Sequence, residues 1–299
     1  MDATAIGQVR RFQRTVTQRI GALSDRFLAR NRPLGQARLL WEIGAHGSEI
    51  RALRARLELD SGYVSRLLRS LEADGLVVVD DGGSDGRVRT ARLTAAGVAE
   101  REELDRRSDE VAASILEPLS VTQRDRLVAA MSEVERLLLA SMVSIDVLDP
   151  RHPSARHCVQ AYVGELARRF DGGFDPARSI SADDHELRLP AGMLLVAALH
   201  AEPVGCVALK LHPESAAAEI KRMWVDPSVR GLGLGRRLLA EAEGRAVANG
   251  ARTLRLETNK ALTEAIALYR AAGYREVEAF NDEPYAHHWF EKRHGPAGP

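Results

Sequence analysis

Cysteine is nearly missing from this chain: Cys158 and Cys206 are the only two among 299 residues. Neither has CxxC spacing, which argues against a zinc site and a disulfide framework; no metal ligand set is expected. Both are read as small buried apolar residues. Long apolar runs are missing as well. No stretch approaches the ~18 residues of a membrane-spanning helix. Arg10, Arg11 and Arg14 are not followed by the apolar segment of a secretory signal. No membrane association is expected, and a cytoplasmic location is. Net charge is absent too, with 42 acidic and 42 basic side chains. A neutral chain is no general polyanion binder, so any nucleic-acid contact must come from a local patch.

What remains is an ordinary globular mixture, 45% hydrophobic and 28% charged. The length suits two domains of roughly 100–200 residues each. In the first, Ile6, Val9, Phe12, Val16, Ile20 and Leu23 recur at helical steps, predicting a helix to about residue 30, stopped by Arg32-Pro33. A second helix is expected over residues 35–45 and a third capped by Ser48. A fourth begins at Asp60 or Ser61 and runs through Val64, Leu67, Leu68 and Leu71 to Gly75, a favourable C′ residue. Residues 76–79 and 88–93 read as strands around an Asp- and Gly-rich turn. Thr94 caps a helix to about residue 107, and another follows Thr122.

Three helices, a hairpin and long flanking helices make a winged helix-turn-helix plan. The runs LDSGYVSRLLRSLEADGLV (59–77) and SDGRVRTARLTAAG (84–97) resemble the MarR family, and the likeness extends over about residues 5–143. With its apolar face buried, the fourth helix shows Ser61, Tyr63, Ser65, Arg66 and Arg69 on the other side. Small donors with arginines suit major-groove base edges and phosphates. Arg87 and Arg89 fall on the wing, where the resemblance implies that Asp85 holds Arg87. Solvated arginines paired with Glu72 or Asp74 are the competing reading. The resemblance also implies a homodimer through residues 5–30 and 98–143. A twofold pair of recognition helices, about one DNA turn (~34–36 Å) apart, implies a palindromic duplex operator.

The pattern changes near Ser144, which gives expected domains 1–144 and 145–295. In the second, residues 223–239 read MWVDPSVRGLGLGRRLL. An apolar strand ends at Asp226-Pro227, and glycines then open a helix. Glycines there bring backbone N–H groups close to an anion at the positive end of a helix dipole. No Lys-Ser/Thr completes a P-loop, and counts for GxGxxG fail from both Gly231 and Gly233. What fits is Arg-x-x-Gly-x-Gly, residues 230–235. Further on stand LETN (256–259) and EAIALYRAAGY (264–274).

Together these three pieces resemble the GNAT N-acetyltransferase superfamily over about residues 145–292. The implied fold is α/β with a mixed, mostly antiparallel central sheet, following a mainly-α MarR-like domain. The implied cosubstrate is acetyl-coenzyme A. Backbone N–H groups of Arg230, Gly231, Leu232, Gly233, Leu234, Gly235 and Arg236 would hold its pyrophosphate. The backbone of Met223, Trp224 and Val225 would pair with the pantetheine arm, and Asn259 would lie near the thiol.

Val225 N–H is a candidate donor to the thioester carbonyl. Tyr269 stands where the family often places its acid; packing under the coenzyme without proton transfer is the other reading. For the base, strand alternation puts Glu219 on one face with Lys221, Met223 and Val225, although a surface glutamate paired with Lys221 or Arg222 fits equally well. Glu257 either binds the acceptor amine or caps its strand. The expected activity is acetyl transfer to a primary amine by a DNA-binding regulator. The alternative is a regulator that senses acetyl-coenzyme A without turnover. Residues 171–190, polar and aperiodic, are expected to shape the acceptor pocket.

Overall fold

The computed structural model describes residues 2–24, 27–80, 89–180 and 182–294. Asp85 and Arg87 therefore lie outside the described residues. The chain forms two compact units, Met1–Ser132 and Glu133–Pro299.

The first unit runs α1 (Ala3–Arg19), α2 (Leu34–Ile43), β1 (Ser48–Glu49), α3 (Ile50–Leu57), α4 (Ser61–Ala73), β2 (Val77–Asp80), β3 (Thr90–Leu93), α5 (Ala95–Leu116) and the start of α6 (Val121–Met142). Its sheet has the order β1-β3-β2. Asp60 caps α4 by accepting from the Tyr63 N–H at 2.9 Å. Thr94 caps α5 by accepting from Gly97 N–H at 3.0 Å. Gly97 also permits a close approach. A Cβ there would stand 2.0 Å from the Leu76 carbonyl, so only glycine lets α5 lie against the base of the wing. The core gathers Leu39, Leu40 and Ile43 of α2, Leu53 of α3, Val64 and Leu71 of α4, and Leu104 of α5.

Three local expectations are corrected. The first helix ends at Arg19, where Ile20 caps it and Gly21 turns with φ +68°. Ser48 is no helix cap: it pairs with Ala91 in the sheet, and its hydroxyl donates to the Glu42 carbonyl at 3.1 Å. Further along, α5 runs well past residue 107.

The second unit contains the end of α6, then β4 (Ser144–Leu148), α7 (Pro153–Arg169), β5 (Gly192–Leu199), β6 (Glu202–His212), β7 (Ala217–Val225), α8 (Leu234–Ala248), β8 (Thr253–Thr258), α9 (Thr263–Ala271), β9 (Arg275–Val277) and β10 (His288–Arg293). The seven-stranded sheet has the order β4-β5-β6-β7-β8-β10-β9. Its pairs are antiparallel apart from β7 with β8. The units divide inside α6 because its last turns belong to the second: Arg136 donates to the Gly231 carbonyl at 3.1 Å, and Arg237 donates to the Ala140 carbonyl at 3.0 Å. α7 is capped by His152, whose Nδ1 accepts from Ser154 N–H at 3.2 Å.

Both faces of the sheet are covered. Leu195, Val207, Leu209, Ala218 and Ile220 pack with Leu238 and Leu239 of α8 on one side. Leu194, Val196, Ala208 and Trp224 pack with Ala155 and Cys158 of α7 on the other. Among the described residues, no helix is long and apolar enough to cross a membrane.

Glu100 on α5 anchors the connection that enters α2. It is 8% exposed and accepts from Arg30 Nε at 3.0 Å and Arg32 Nε at 2.9 Å. The Arg30 hydrogen bond holds its carboxyl below the usual range, against the opposing effect of burial. The stabilisation is therefore present above the unfolded pKa of about 4.3 and is lost as pH falls through the lower folded value. Glu100→Gln is expected to cost about 1.5–3 kcal/mol at neutral pH. In denaturant titrations the gap from the parent should shrink below about pH 4; an equal gap at both pH values would show that charge is not its source.

Candidate functional site

Strand β7 holds one residue more than its partner. Cys206 of β6 faces Trp224 while Ala208 faces Lys221, so Arg222 and Met223 together oppose one residue. Arg222 takes up the extra length with φ +51°, a region that non-glycine residues rarely enter. The bulge reverses the side-chain alternation. Ala218 and Ile220 share a face with Met223 and Val225, and Trp224 lies on the opposite face. Glu219 and Lys221 are thus not on the face of Met223 and Val225, which corrects the simple alternation expected for this strand.

The sheet opens just ahead of the bulge. The parallel pairing of β7 with β8 ends at Glu219 with Arg255, so the following backbone of both strands is left without a ladder partner across that gap. Asp226 N–H donates to the Val204 carbonyl at 2.9 Å. Alternation along an antiparallel edge then turns the Val225 N–H away from β6, towards the gap.

Two cavities meet here. A groove of about 530 Å³ is lined by Val225, Gly231, Gly233 and Gly235 of the turn, and by Leu166 of α7 and Leu268 of α9. In this groove the first N–H to close onto helix α8 is that of Arg237, which donates to Gly233 O at 3.1 Å. The N–H groups of residues 233–236 therefore precede the helical ladder, at the positive end of the α8 dipole. Gly233 sits at the cap with φ +76°.

Not every residue of the turn is so placed. The N–H groups of Arg230 and Leu232 donate to Pro227 O at 3.3 Å and Val229 O at 3.4 Å, and the Leu232 side chain packs on the core. Both are corrected from anion donors to structural members of the turn. The Arg230 guanidinium braces the loop, reaching Glu165 Oε2 of α7 at 2.5 Å and the Val225 carbonyl at 3.0 Å. Trp224 Nε1 shares that carboxylate at 3.0 Å.

The second cavity, about 180 Å³, lies between α7, β7, β8 and the segment around Phe174. Both cavities are lined by Tyr269, Met223, Tyr162, Leu166, Leu262 and Ala265. Tyr269 is 6% exposed, and its hydroxyl stands 3.8 Å from Met223 Sδ. Burial pushes its pKa well above the ordinary phenol value, and the nearby Glu257 charge adds to the effect. It therefore remains a protonated donor at neutral pH.

The carboxylate at this junction is Glu257. It lines the smaller cavity, its side chain is 8% exposed, and one oxygen is paired with Lys221 Nζ, itself 6% exposed. Its other oxygen, Oε2, is buried without a hydrogen-bond partner. Desolvation raises the pKa of Glu257, and the Lys221 ammonium opposes this without cancelling it. Glu219, by contrast, is not among the residues lining either cavity. Its carboxylate lies 3.2 Å from His212 Nε2 and 3.4 Å from Lys221 Nζ. Asn259 lines the smaller cavity, but its amide is engaged in the turn after β8, donating to Tyr285 O at 2.7 Å and accepting from Ala261 N–H at 2.9 Å. Among the described residues, no cluster of three or more His, Cys, Asp or Glu could hold a metal ion.

In the first unit, α4 buries Val64, Leu67, Leu68 and Leu71. Ser61, Tyr63, Arg66 and Arg69 are exposed and Ser65 is half-buried. The Arg66 guanidinium lies 5.6 Å from the Tyr63 ring centroid, and Arg69 Nε donates to Ser65 O at 3.2 Å. Arg89 is exposed at the end of the wing, where its carbonyl accepts from Ile50 N–H at 2.9 Å.

The sequence pattern of the acetyltransferase (GNAT) family matches residues 161–274, and that of the MarR family matches residues 31–88. Over 118 residues the chain is 39% identical to IAA acetyltransferase of Azospirillum brasilense, an overlap covering 39% of this chain and 76% of that protein. It is 29% identical over 143 residues to N-acetylaspartate synthetase of Homo sapiens, covering 48% of this chain and 45% of that protein. A solved GNAT-family acetyltransferase from Staphylococcus aureus covers 50% of this chain and 99% of its own, at 17% identity and a TM-score of 0.43. On the two family patterns and the Azospirillum brasilense relative, the chain belongs to the GNAT acetyltransferase family, with a MarR-family domain preceding its acetyltransferase domain.

Proposed function

We propose that this protein transfers the acetyl group of acetyl-coenzyme A directly to a primary amine, and that its MarR domain binds duplex DNA as a homodimer. The observation that carries the catalytic reading is Tyr269, a buried phenol shared by the two cavities where β7 and β8 part. Bound acetyl-coenzyme A supplies an activated thioester. The N–H groups of residues 233–236, with Gly231 in the same groove, suit a pyrophosphate, and the open edge of residues 223–225 suits the pantetheine amides. Val225 N–H is aimed to stabilise the carbonyl oxygen as negative charge grows on it.

The acceptor enters from the smaller cavity. Glu257 Oε2 takes one proton from its ammonium, and the freed amine attacks the thioester carbon. The new N–C bond forms and the C–S bond breaks. Tyr269 protonates the departing sulfur and recovers a proton from the nitrogen. Glu257, whose environment raises its proton affinity, is the base in this scheme; Glu219, outside both cavities, is a structural partner of Lys221 and His212.

For the MarR domain, the exposed set Ser61, Tyr63, Ser65, Arg66 and Arg69 on α4 suits a major groove, and a palindromic operator follows from twofold pairing. Pairing is supported by α1, which buries none of its residues yet exposes Ile6, Val9, Phe12 and Val16. On α6, Val128, Met131, Leu137 and Leu138 are similarly exposed. A DNA-binding protein of this type would work in the cytoplasm.

With thiol release as the readout, Tyr269→Phe is expected to lower turnover by about 100-fold. Glu257→Gln should do the same and abolish the acidic limb of the pH–rate profile, which falls as pH drops through the raised pKa. Glu219→Gln should change the rate little. Unchanged turnover in Tyr269→Phe would remove the acid role. Acetyl-coenzyme A binding with no acetylation of any amine would instead support a sensor.

The double variant Arg66→Ala, Arg69→Ala should weaken operator binding and reduce the slope of log affinity against log salt by about 1 per lost phosphate contact. An unaltered affinity would refute the groove-facing assignment.

A further inference from the structure

The lining of the smaller cavity has two chemically distinct parts. At one, three rings converge: the Phe174 and Tyr285 centroids are 4.8 Å apart, Phe170 and Phe174 5.7 Å, and Phe170 and Tyr285 6.0 Å. At the other stands the Lys221–Glu257 pair with its unmatched oxygen Oε2. Tyr269 and Met223 line the passage to the larger groove.

The aromatic end is held in place by hydrogen bonds. Glu283, 8% exposed, accepts from Ser179 Oγ at 2.9 Å, Ile180 N–H at 2.6 Å and Tyr285 N–H at 3.3 Å. The Tyr285 hydroxyl accepts from Asp175 N–H at 3.0 Å. The acidic group at this end is thus committed to its own walls, while Glu257 Oε2, with Asn281 acting on the same carboxylate, has no hydrogen-bond partner.

These features limit the acceptor. One unsatisfied carboxylate oxygen matches one ammonium group. A second ammonium, or the hydroxyls of a sugar, set against the three rings would be desolvated at a cost of roughly 2–7 kcal/mol per polar group, whereas the polar side chains of Ser179, Thr258 and Asn259 line other parts of the cavity. An aromatic group loses nothing of this kind and gains ring–ring contacts worth about 0.5–1.5 kcal/mol beyond area burial. Size agrees: a cavity of about 150 Å³ lined by apolar side chains admits benzene, and this one has about 180 Å³.

We propose that the acceptor is a compact monoamine, a single aromatic ring bearing its primary amine on a short carbon arm, with the ring among Phe170, Phe174 and Tyr285 and the ammonium on Glu257 Oε2. This rests on the acetyl-transfer reading above, and it excludes polyamines, amino sugars and protein lysines as preferred acceptors.

The test compares kcat/KM of the full chain with acetyl-coenzyme A for 2-phenylethylamine, n-butylamine, spermidine, glucosamine and a lysine-containing peptide. The expected result is 2-phenylethylamine at least about tenfold ahead of each of the others, since about 1.4 kcal/mol of differential binding corresponds to a factor of ten. Phe174→Ala should raise KM for 2-phenylethylamine by about tenfold, with Phe174→Leu recovering part of the loss. Calorimetric titration with acetyl-coenzyme A should give the parent affinity for both variants, which shows that they are folded. Preferred turnover of spermidine, glucosamine or the peptide overturns the proposal and leaves acetyl transfer intact. So does an unchanged KM in a Phe174→Ala variant that binds the coenzyme normally. Absence of thiol release with these and with every other primary amine overturns both readings.

Discussion

The extra residue in β7 is the constraint on which the acetyltransferase site depends. Up to Lys221 the strand pairs regularly with β6, and up to Glu219 it pairs with β8. A sheet that continued in register would satisfy its own N–H and C=O groups and offer none to a ligand. β8 has already parted from the strand after Glu219; the bulge at Arg222 then increases the local twist, and the Val225 N–H points into the gap. The same extra residue changes which side chains share a face, placing Met223 and Val225 opposite the side occupied by Lys221. The φ of +51° at Arg222 is a local strain that surrounding contacts must outweigh. Arg222 Nη2, donating to the Ala182 carbonyl at 2.6 Å, is one such contact.

Charge at the site is arranged by desolvation. Lys221 and Glu257 are both almost fully buried, and removing one partner would leave the other uncompensated, which is far costlier than losing a surface pair. With a single Glu257 oxygen occupied, the carboxylate keeps acceptor capacity and an elevated proton affinity together. Tyr269, buried beside it, is driven in the direction that suits an acid, since a phenol that resists ionisation stays a donor. One low-dielectric environment thus raises the proton affinity of both groups. On the coenzyme side the Arg230 bridge to Glu165 and the Val225 carbonyl fixes the turn, so its backbone donors are held before any ligand arrives.

Much of this was legible in local sequence. Asp60 and Thr94 are N-caps because a short acceptor side chain reaches the N–H three residues ahead, an interaction complete within one turn. The arrangement of residues 230–236 between an apolar strand and a helix located the groove, because close backbone approach requires glycine whatever the rest of the fold does. Other features had no local signal. Arg222 is not a glycine, and nothing in AAEIKRMWV distinguishes a bulged strand from a regular one. Alternation therefore placed Glu219 with Met223, one slip away from its observed face. Ser48 had the chemistry of a cap but was recruited as a strand by Ala91, distant in sequence.

By itself, then, the sequence determined the caps at Asp60 and Thr94, the glycine turn and the two-part organisation of the chain, because each depends on neighbours within a few residues. Only the tertiary structure decided that Glu257, and not Glu219, lines the smaller cavity, that Lys221 covers one of its oxygens, and that Phe170, Phe174 and Tyr285 converge in the same lining. Those relations join α7, β7, β8 and the segment before β10. Each is a contact between elements distant in sequence, and none is written in the identity of any single residue.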